Sequence, residues 1–149
     1  MDIIKTKEGN LIRDITKEYL NFKFDLILCL NVFEHIPINM HKKAINNIKK
    51  MMHENTVLIL SIPFMVGNHT DNDYVRFTFQ GIKSLVREEF KFVYIFPYGN
   101  KTTLMLSLIN NTRFIGRPFY LLSLLLNKIS NKTNIVYPSG FMVECRYIR

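Results

Sequence analysis

The 149-residue sequence has no tryptophan, two cysteines, six glycines and five prolines. The two cysteines, Cys29 and Cys145, both lie in apolar runs, which excludes a disulfide scaffold and leaves two inert strand residues. So little glycine and proline excludes collagen, flexible linkers and low-complexity sequence. There is no G-x-G, so the tight turn that a complete dinucleotide- or nucleoside-binding Rossmann unit needs near its first strand is absent. No serine sits in a nucleophile elbow, and no spacing resembles a zinc site or a phosphate-binding loop with its lysine. No apolar run approaches the ~18 residues of a membrane-spanning helix. Lys5, Lys7 and Glu8 interrupt any apolar start, so no signal peptide opens the chain and a cytoplasmic setting is expected.

What the chain does hold is enough apolar sequence for a core: 48% hydrophobic against 21% charged. Its formal net charge is +8, unevenly placed. Residues 1–100 carry 13 Lys/Arg and 11 Asp/Glu, whereas residues 101–149 carry seven basic residues against Glu144 alone. The basic residues are scattered, without a stripe on one helix face, so no nucleic-acid partner is expected. A surface for anionic lipid, a site for a phosphorylated substrate and a merely solvated basic surface all fit that charge.

Strand and helix patterns alternate. Residues 24–32 (FDLILCLNV) read as a strand buried on both faces. Residues 38–53 place Met40, Ala44, Ile48 and Met52 four apart, the apolar face of a helix whose other side is lysine-rich. Residues 56–64 (TVLILSIPF) are a second strand, stopped by Pro63. Residues 78–90 are a helix with a Thr78 cap and Ile82, Leu85 and Val86 turned inward. Residues 92–96 are a third strand, residues 102–130 two short helices, and residues 141–148 (FMVECRYI) a last strand. Alternation of this kind predicts an α/β sheet with crossovers, mainly parallel.

Ligands of such sheets sit at the carboxyl ends of the strands. Asn31 to Pro37 puts an amide, a carboxylate and an imidazole at one such end. Glu34 and His35 are either an acid–base pair, two ligands of a metal, or loop-tying groups beside the next helix. Two ligands without a third predict no metal. Residues 68–78 (NHTDNDYVRFT) form a dense polar stretch. Asp73 and Arg76 suit an ion pair that fixes this loop, while His69 and Tyr74 are placed either to reach a substrate or only to lock the Thr78 helix start.

The succession FDLILCLNVFEHIP, basic helix, VLILSIPF, H-x-x-x-DYVRFT-x-x-G-I-x-x-L, FPYG and YPSGFMVECRY resembles a class I S-adenosylmethionine-dependent methyltransferase of the bacterial type-11-like subgroup. The likeness runs from about residue 10 to the end of the chain. It implies an incomplete Rossmann-like sheet, mainly parallel with the last strand antiparallel, cut from the order 3-2-1-4-5-7-6. Residues 24–32, 56–64, 92–96 and 141–148 then resemble its fourth, fifth, sixth and seventh strands. One partial domain, 1–149, follows: a remnant of the second and third strand region (1–23), a core (24–100), a helical insertion or lid (101–134) and the last strand (135–149).

The resemblance also implies a cofactor, S-adenosylmethionine, and residues that hold it. Asp2 is similar to the acid that binds the ribose hydroxyls, Asp14 to the acid near the adenine amino group, and Ile15 to a residue flanking the ring. Asn31 and Val32 occupy the strand end that faces the methionine part. Glu34, His69, Tyr74 and Arg76 match the border of the acceptor site, with His35, His69 and Tyr74 as the candidates for catalysis. In some small-molecule O-methyltransferases of this kind the Glu-His pair binds a metal with an upstream acid; here that position is Asn31.

The sequence departs from the pattern by lacking the first strand, its glycine-rich loop and the first helix. The expected function is therefore methyl transfer to a small-molecule, sugar or lipid-linked acceptor by a truncated or split chain. An inactive remnant, a subunit whose sheet a second chain completes, and a membrane-surface module built on residues 102–132 are the alternatives.

Overall fold

The computed structural model describes residues 14–66, 71–99 and 138–146. Their elements run β1 (Phe24–Leu30), α1 (His41–Lys50), β2 (Met52–Pro63), α2 (Phe79–Val86), β3 (Phe92–Tyr98) and β4 (Gly140–Arg146), with single 3-10 turns at Phe33–His35 and Ile38–Met40. The four strands form one sheet in the order β1-β2-β4-β3. β1 and β2 are parallel, and β4 lies antiparallel between β2 and β3. Three strands thus share a direction and the last opposes them, which is the fourth-fifth-seventh-sixth order that the resemblance implies.

Apolar spacing explains which face closes. Cys29, Leu58, Leu60, Ile62, Phe141, Val143 and Cys145 alternate along their strands onto one side and are buried. Ala44, Ile45 and Ile48 of α1 join them in one core with Ile82 and Val86 of α2, together with Phe33, Ile36, Phe77 and Phe90. α2 starts where its cap predicts: Thr78 Oγ1 accepts from the Gly81 N–H at 3.1 Å. α1 has no side-chain cap. Its first residue, His41, is buried, and its Nε2–H is shared between the carbonyls of Phe33 (3.1 Å) and Ile36 (2.9 Å), tying the 3-10 turn down to the helix. Lys23 Nζ donates to the carbonyls of Lys50 (2.7 Å) and Met52 (2.9 Å), a cation at the end of α1 where the backbone dipole favours one.

Several boundaries differ from the sequence reading. β1 stops at Leu30 because Asn31 turns into the left-handed region, φ 53°. The helix of residues 38–53 splits into a 3-10 turn and an α-helix that ends at Lys50, and Met52 already belongs to β2. The regular β1–β2 ladder nevertheless begins only at Leu26 opposite Val57, after an irregularity where Thr56 Oγ1 donates to the Phe24 carbonyl at 2.5 Å. Burial of β1 on both faces is not what the structure shows. Leu26, Leu28 and Leu30 are at least half exposed, as are Tyr94 and Phe96, and Met142 is 44% exposed. All six project from the face opposite the helices, and no described element covers it. Residues 1–13 and 101–137, which include the expected helical insertion, lie outside the described residues.

Candidate functional site

Two constellations meet at the carboxyl end of β1, one behind the sheet and one on its open face. The first grows from the Phe33–His35 turn. Glu34 is fully buried, and its Oε1 is 3.7 Å from His35 Nε2. His35 Nδ1 donates to the Asn72 carbonyl at 2.9 Å, since a carbonyl only accepts. Both ring nitrogens of His35 therefore face groups of this chain, and the imidazole ties the loop of residues 71–78 to the strand end. The Tyr74 N–H donates to the Glu34 carbonyl at 2.8 Å and strengthens that tie. Within the loop, Arg76 clamps Asp73 with both terminal nitrogens, and the Asp73 carboxylate side chain is almost wholly buried. The hydrogen bonds that Arg76 donates to Asp73 raise the Arg76 pKa, with further contributions from the charges of Asp73 and Glu34. The pairing expected for Asp73 and Arg76 is thus present, and Glu34 is the second negative charge that Arg76 feels.

The second constellation is hydroxyl-rich. Asn31 is exposed and left-handed at the end of β1. Its backbone N–H donates to the Ser61 carbonyl at 2.9 Å, and its Oδ1 accepts from Ser61 Oγ at 2.9 Å. Ser61 Oγ also lies 3.4 Å from Tyr98 Oη. These three residues close β1, β2 and β3, and the side chains join across the sheet. Reading the sequence marked the segments that hold Ser61 and Tyr98 but singled out neither residue. The signal was there: both fall at the carboxyl ends of strands that run the same way as β1.

The remaining candidates are distributed as follows. Val32 is half-buried beside Asn31. Tyr74 is exposed, its Oη 3.4 Å from Asn72 Oδ1. Asn31, Val32, Glu34, His35, Tyr74 and Arg76 are thus brought to one end of the sheet. Asp14 and Ile15 are engaged elsewhere. Asp14 Oδ1 accepts from the Thr16 hydroxyl (2.7 Å) and N–H (2.9 Å), and Oδ2 meets Lys17 at 3.3 Å. Those bonds, the Thr16 hydroxyl foremost, hold the carboxyl below the usual range. The Ile15 carbonyl accepts from Asn47 of α1 at 2.7 Å. Asp2 and His69 lie outside the described residues. Among the described residues no three His, Cys, Asp or Glu side chains gather as a metal site. Burial pushes the thiols of Cys29 and Cys145 up to about 12, as unreactive strand residues require.

Comparison with known proteins gives a fold. No family model matches the sequence, and no curated protein does. Among solved structures, a SAM-dependent methyltransferase from Archaeoglobus fulgidus superposes with a TM-score of 0.60 at 12% identity, over 94% of this chain and 69% of that one. An O-methyltransferase from a trans-AT PKS multienzyme of Brevibacillus brevis, in complex with S-adenosyl-L-homocysteine, gives 0.51 at 13% identity over 91% and 48%. A Haemonchus contortus phosphoethanolamine N-methyltransferase in complex with S-adenosyl-L-methionine gives 0.53 at 12% over 91% and 36%. The chain spans about half or less of the length of the latter two. With an antiparallel β4 between β2 and β3 and its polar residues at the strand ends, the chain carries the fold of the class I S-adenosylmethionine-dependent methyltransferases.

Proposed function

We propose that this chain takes part in methyl transfer from S-adenosylmethionine to a small-molecule acceptor. The observation that carries the reading is the polar junction of Asn31, Ser61 and Tyr98 at the carboxyl ends of three strands, where open α/β sheets bind their ligands. The residue that fits the cofactor is Asn31. Its amide oxygen is occupied by Ser61, which leaves the two N–H donors of Nδ2 for an acceptor group such as the carboxylate of the methionine part. The Brevibacillus and Haemonchus enzymes, in complex with S-adenosyl compounds, support the choice of cofactor.

When bound, the cofactor supplies an electrophilic methyl group on a positively charged sulfur. An acceptor oxygen or nitrogen would take that methyl group with its own lone pair, leaving the sulfur with the bonding electrons, and would give up its proton to water or to a base. The chain's own contribution is alignment: the sheet ends fix where the acceptor meets the methyl group. Tyr74, with Arg76 pinned to Asp73 behind it, borders the acceptor from the loop of residues 71–78. His35, with Nδ1 given to the Asn72 carbonyl and Nε2 beside Glu34, holds that loop in place. Sugar and lipid-linked acceptors remain within this reading, as does the type-11-like subgroup.

The sheet also has room for a partner. No described strand pairs with the outer edge of β1, and Leu26, Leu28 and Leu30 stand open beside it. A glycine-rich strand that completes the pocket there, on a preceding segment or a second chain, belongs to the proposal. Calorimetric titration with S-adenosylhomocysteine tests the reading. A saturable heat, weakened at least tenfold in Asn31→Ala, is expected; a chain that gives no heat at millimolar ligand sinks it.

A further inference from the structure

We propose that Tyr98 binds the methyl acceptor by accepting a hydrogen bond from the O–H whose hydrogen the methyl group replaces. The inference rests on the methyl-transfer reading and adds the acceptor's class: an alcohol or phenol on an apolar frame.

The direction of the hydrogen bonds decides how Tyr98 presents itself. Ser61 has a single hydroxyl proton, and it is given to Asn31 Oδ1, which cannot donate. The contact between Ser61 Oγ and Tyr98 Oη therefore runs from the phenol to the serine. With its proton directed toward Ser61, Tyr98 keeps oxygen lone pairs for a ligand and has no second proton to offer. A ligand group that binds it must donate.

The fold builds this arrangement at some expense in freedom. β4 separates β3 from β2, so the Tyr98 side chain must cross it to reach Ser61, and it crosses at Gly140. A Cβ on Gly140 would lie 2.4 Å from Tyr98 Oη and 2.8 Å from the Ile62 carbonyl, so no other residue fits without displacing the ring. The backbone at both ends is clamped: the Ser139 N–H donates to the Tyr98 carbonyl at 2.8 Å. Gly99, at φ 90°, passes so close that a Cβ there would be 2.2 Å from Ser139 Oγ. Beside the hydroxyl lies an apolar row in register, Leu30 opposite Ser61, Ser61 opposite Met142 and Met142 opposite Phe96. Leu30, Phe96 and Met142 are 50%, 54% and 44% exposed. A polar head on an apolar body matches that pattern, and Tyr98, which would hold the head, sits two hydrogen bonds away from Asn31 along the string.

Methylation removes the donor. The product would set an ether or alkylated oxygen against the Tyr98 oxygen, two acceptors facing each other, so the site holds substrate and lets product go. Phenol and its methyl ether, anisole, are the probe pair. Affinities are read from ligand proton line broadening on the intact chain, and the site from the 13Cζ signal of Tyr98, which is assigned by its loss in Tyr98→Phe. The other six tyrosine signals report whether that variant is folded. Phenol is expected to bind about threefold to tenfold more tightly than anisole, the worth of one hydrogen bond. The preference should vanish in Tyr98→Phe and shrink in Ser61→Ala, where the phenol proton is no longer held inward. Equal affinities, no binding of either probe, or a preference that survives Tyr98→Phe overturns the inference. Titration with S-adenosylhomocysteine separates the two ideas: binding of it without the phenol preference leaves methyl transfer standing and removes Tyr98 from the site. A phenol preference without that binding keeps the hydroxyl site and removes the methyl-transfer reading.

Discussion

Single residues carry much of what holds this sheet end together. Thr78 is a helix cap with one job, so Thr78→Ala should cost about 1 kcal/mol in urea unfolding and leave binding at Asn31 untouched. A loss much below half of that would mean the cap is idle. The thiols give a second check. Cys29 and Cys145 are buried and their pKa values stand near 12, above the ordinary value of 9.0. A raised folded-state pKa stabilises below the unfolded value and is lost above it, so stability should fall as pH climbs from about 9 toward about 12. In the folded protein at pH 8 neither thiol should react with a thiol reagent within minutes; prompt reaction of Cys29 would contradict its burial. Legibility was uneven at this scale. Asn31, Glu34, His35, Tyr74 and Arg76 were visible because each lies within a short run at a strand end. Ser61 and Tyr98 were not, because they are 37 residues apart and meet only where Gly140 leaves room. A local pattern carries no record of such a meeting.

The loop of residues 71–78 behaves as one element, fastened by Asp73–Arg76, by the Tyr74 N–H and by His35. Arg76→Met would strand the buried carboxylate of Asp73 and leave Glu34 without its neighbouring cation. A loss of about 3 kcal/mol is expected, the low end for a buried pair because the Arg76 side chain keeps 21% of its exposure. Hydrogen exchange at the Tyr74 amide should accelerate in that variant, and unchanged exchange would show that the clamp does not hold the loop. The turn that begins at Asp14 responds to acid. Its lowered pKa stabilises the fold above the ordinary value of 3.8, and that stabilisation drains away as pH falls through the folded value. Asp14→Asn should therefore flatten the acid limb of the stability profile. The elements themselves were legible from apolar periodicity, which found all four strands and both described helices. Their ends were less so. Asn31 stops β1 by a backbone rotation, and the 3-10 turn at Ile38–Met40 has nearly the same apolar spacing as the helix it precedes.

For the molecule as a whole, the open sheet face decides behaviour in solution. Leu26, Leu28, Leu30, Tyr94, Phe96 and Met142 form an apolar surface next to an edge strand with no described neighbour. The chain should self-associate at micromolar concentration, and Leu28→Lys should lower the sedimentation coefficient toward that of a monomer; identical profiles would show the face already covered. Strand order was legible only through family resemblance, because nothing in local pattern says that the last strand enters between its predecessors. Burial of β1 on both faces was misjudged for a related reason: an apolar run shows that a residue can be covered, not that a cover is present. The insertion of β4 has a consequence for how the chain reaches its native state. In the described sheet β2 and β3 are joined only through residues 140–146, so until those arrive the growing polypeptide holds β3 apart from the β1–β2 ladder. A stop codon ahead of Gly140 would leave β3 with no described strand to pair with, and removal of that short stretch would be felt at the centre of the architecture.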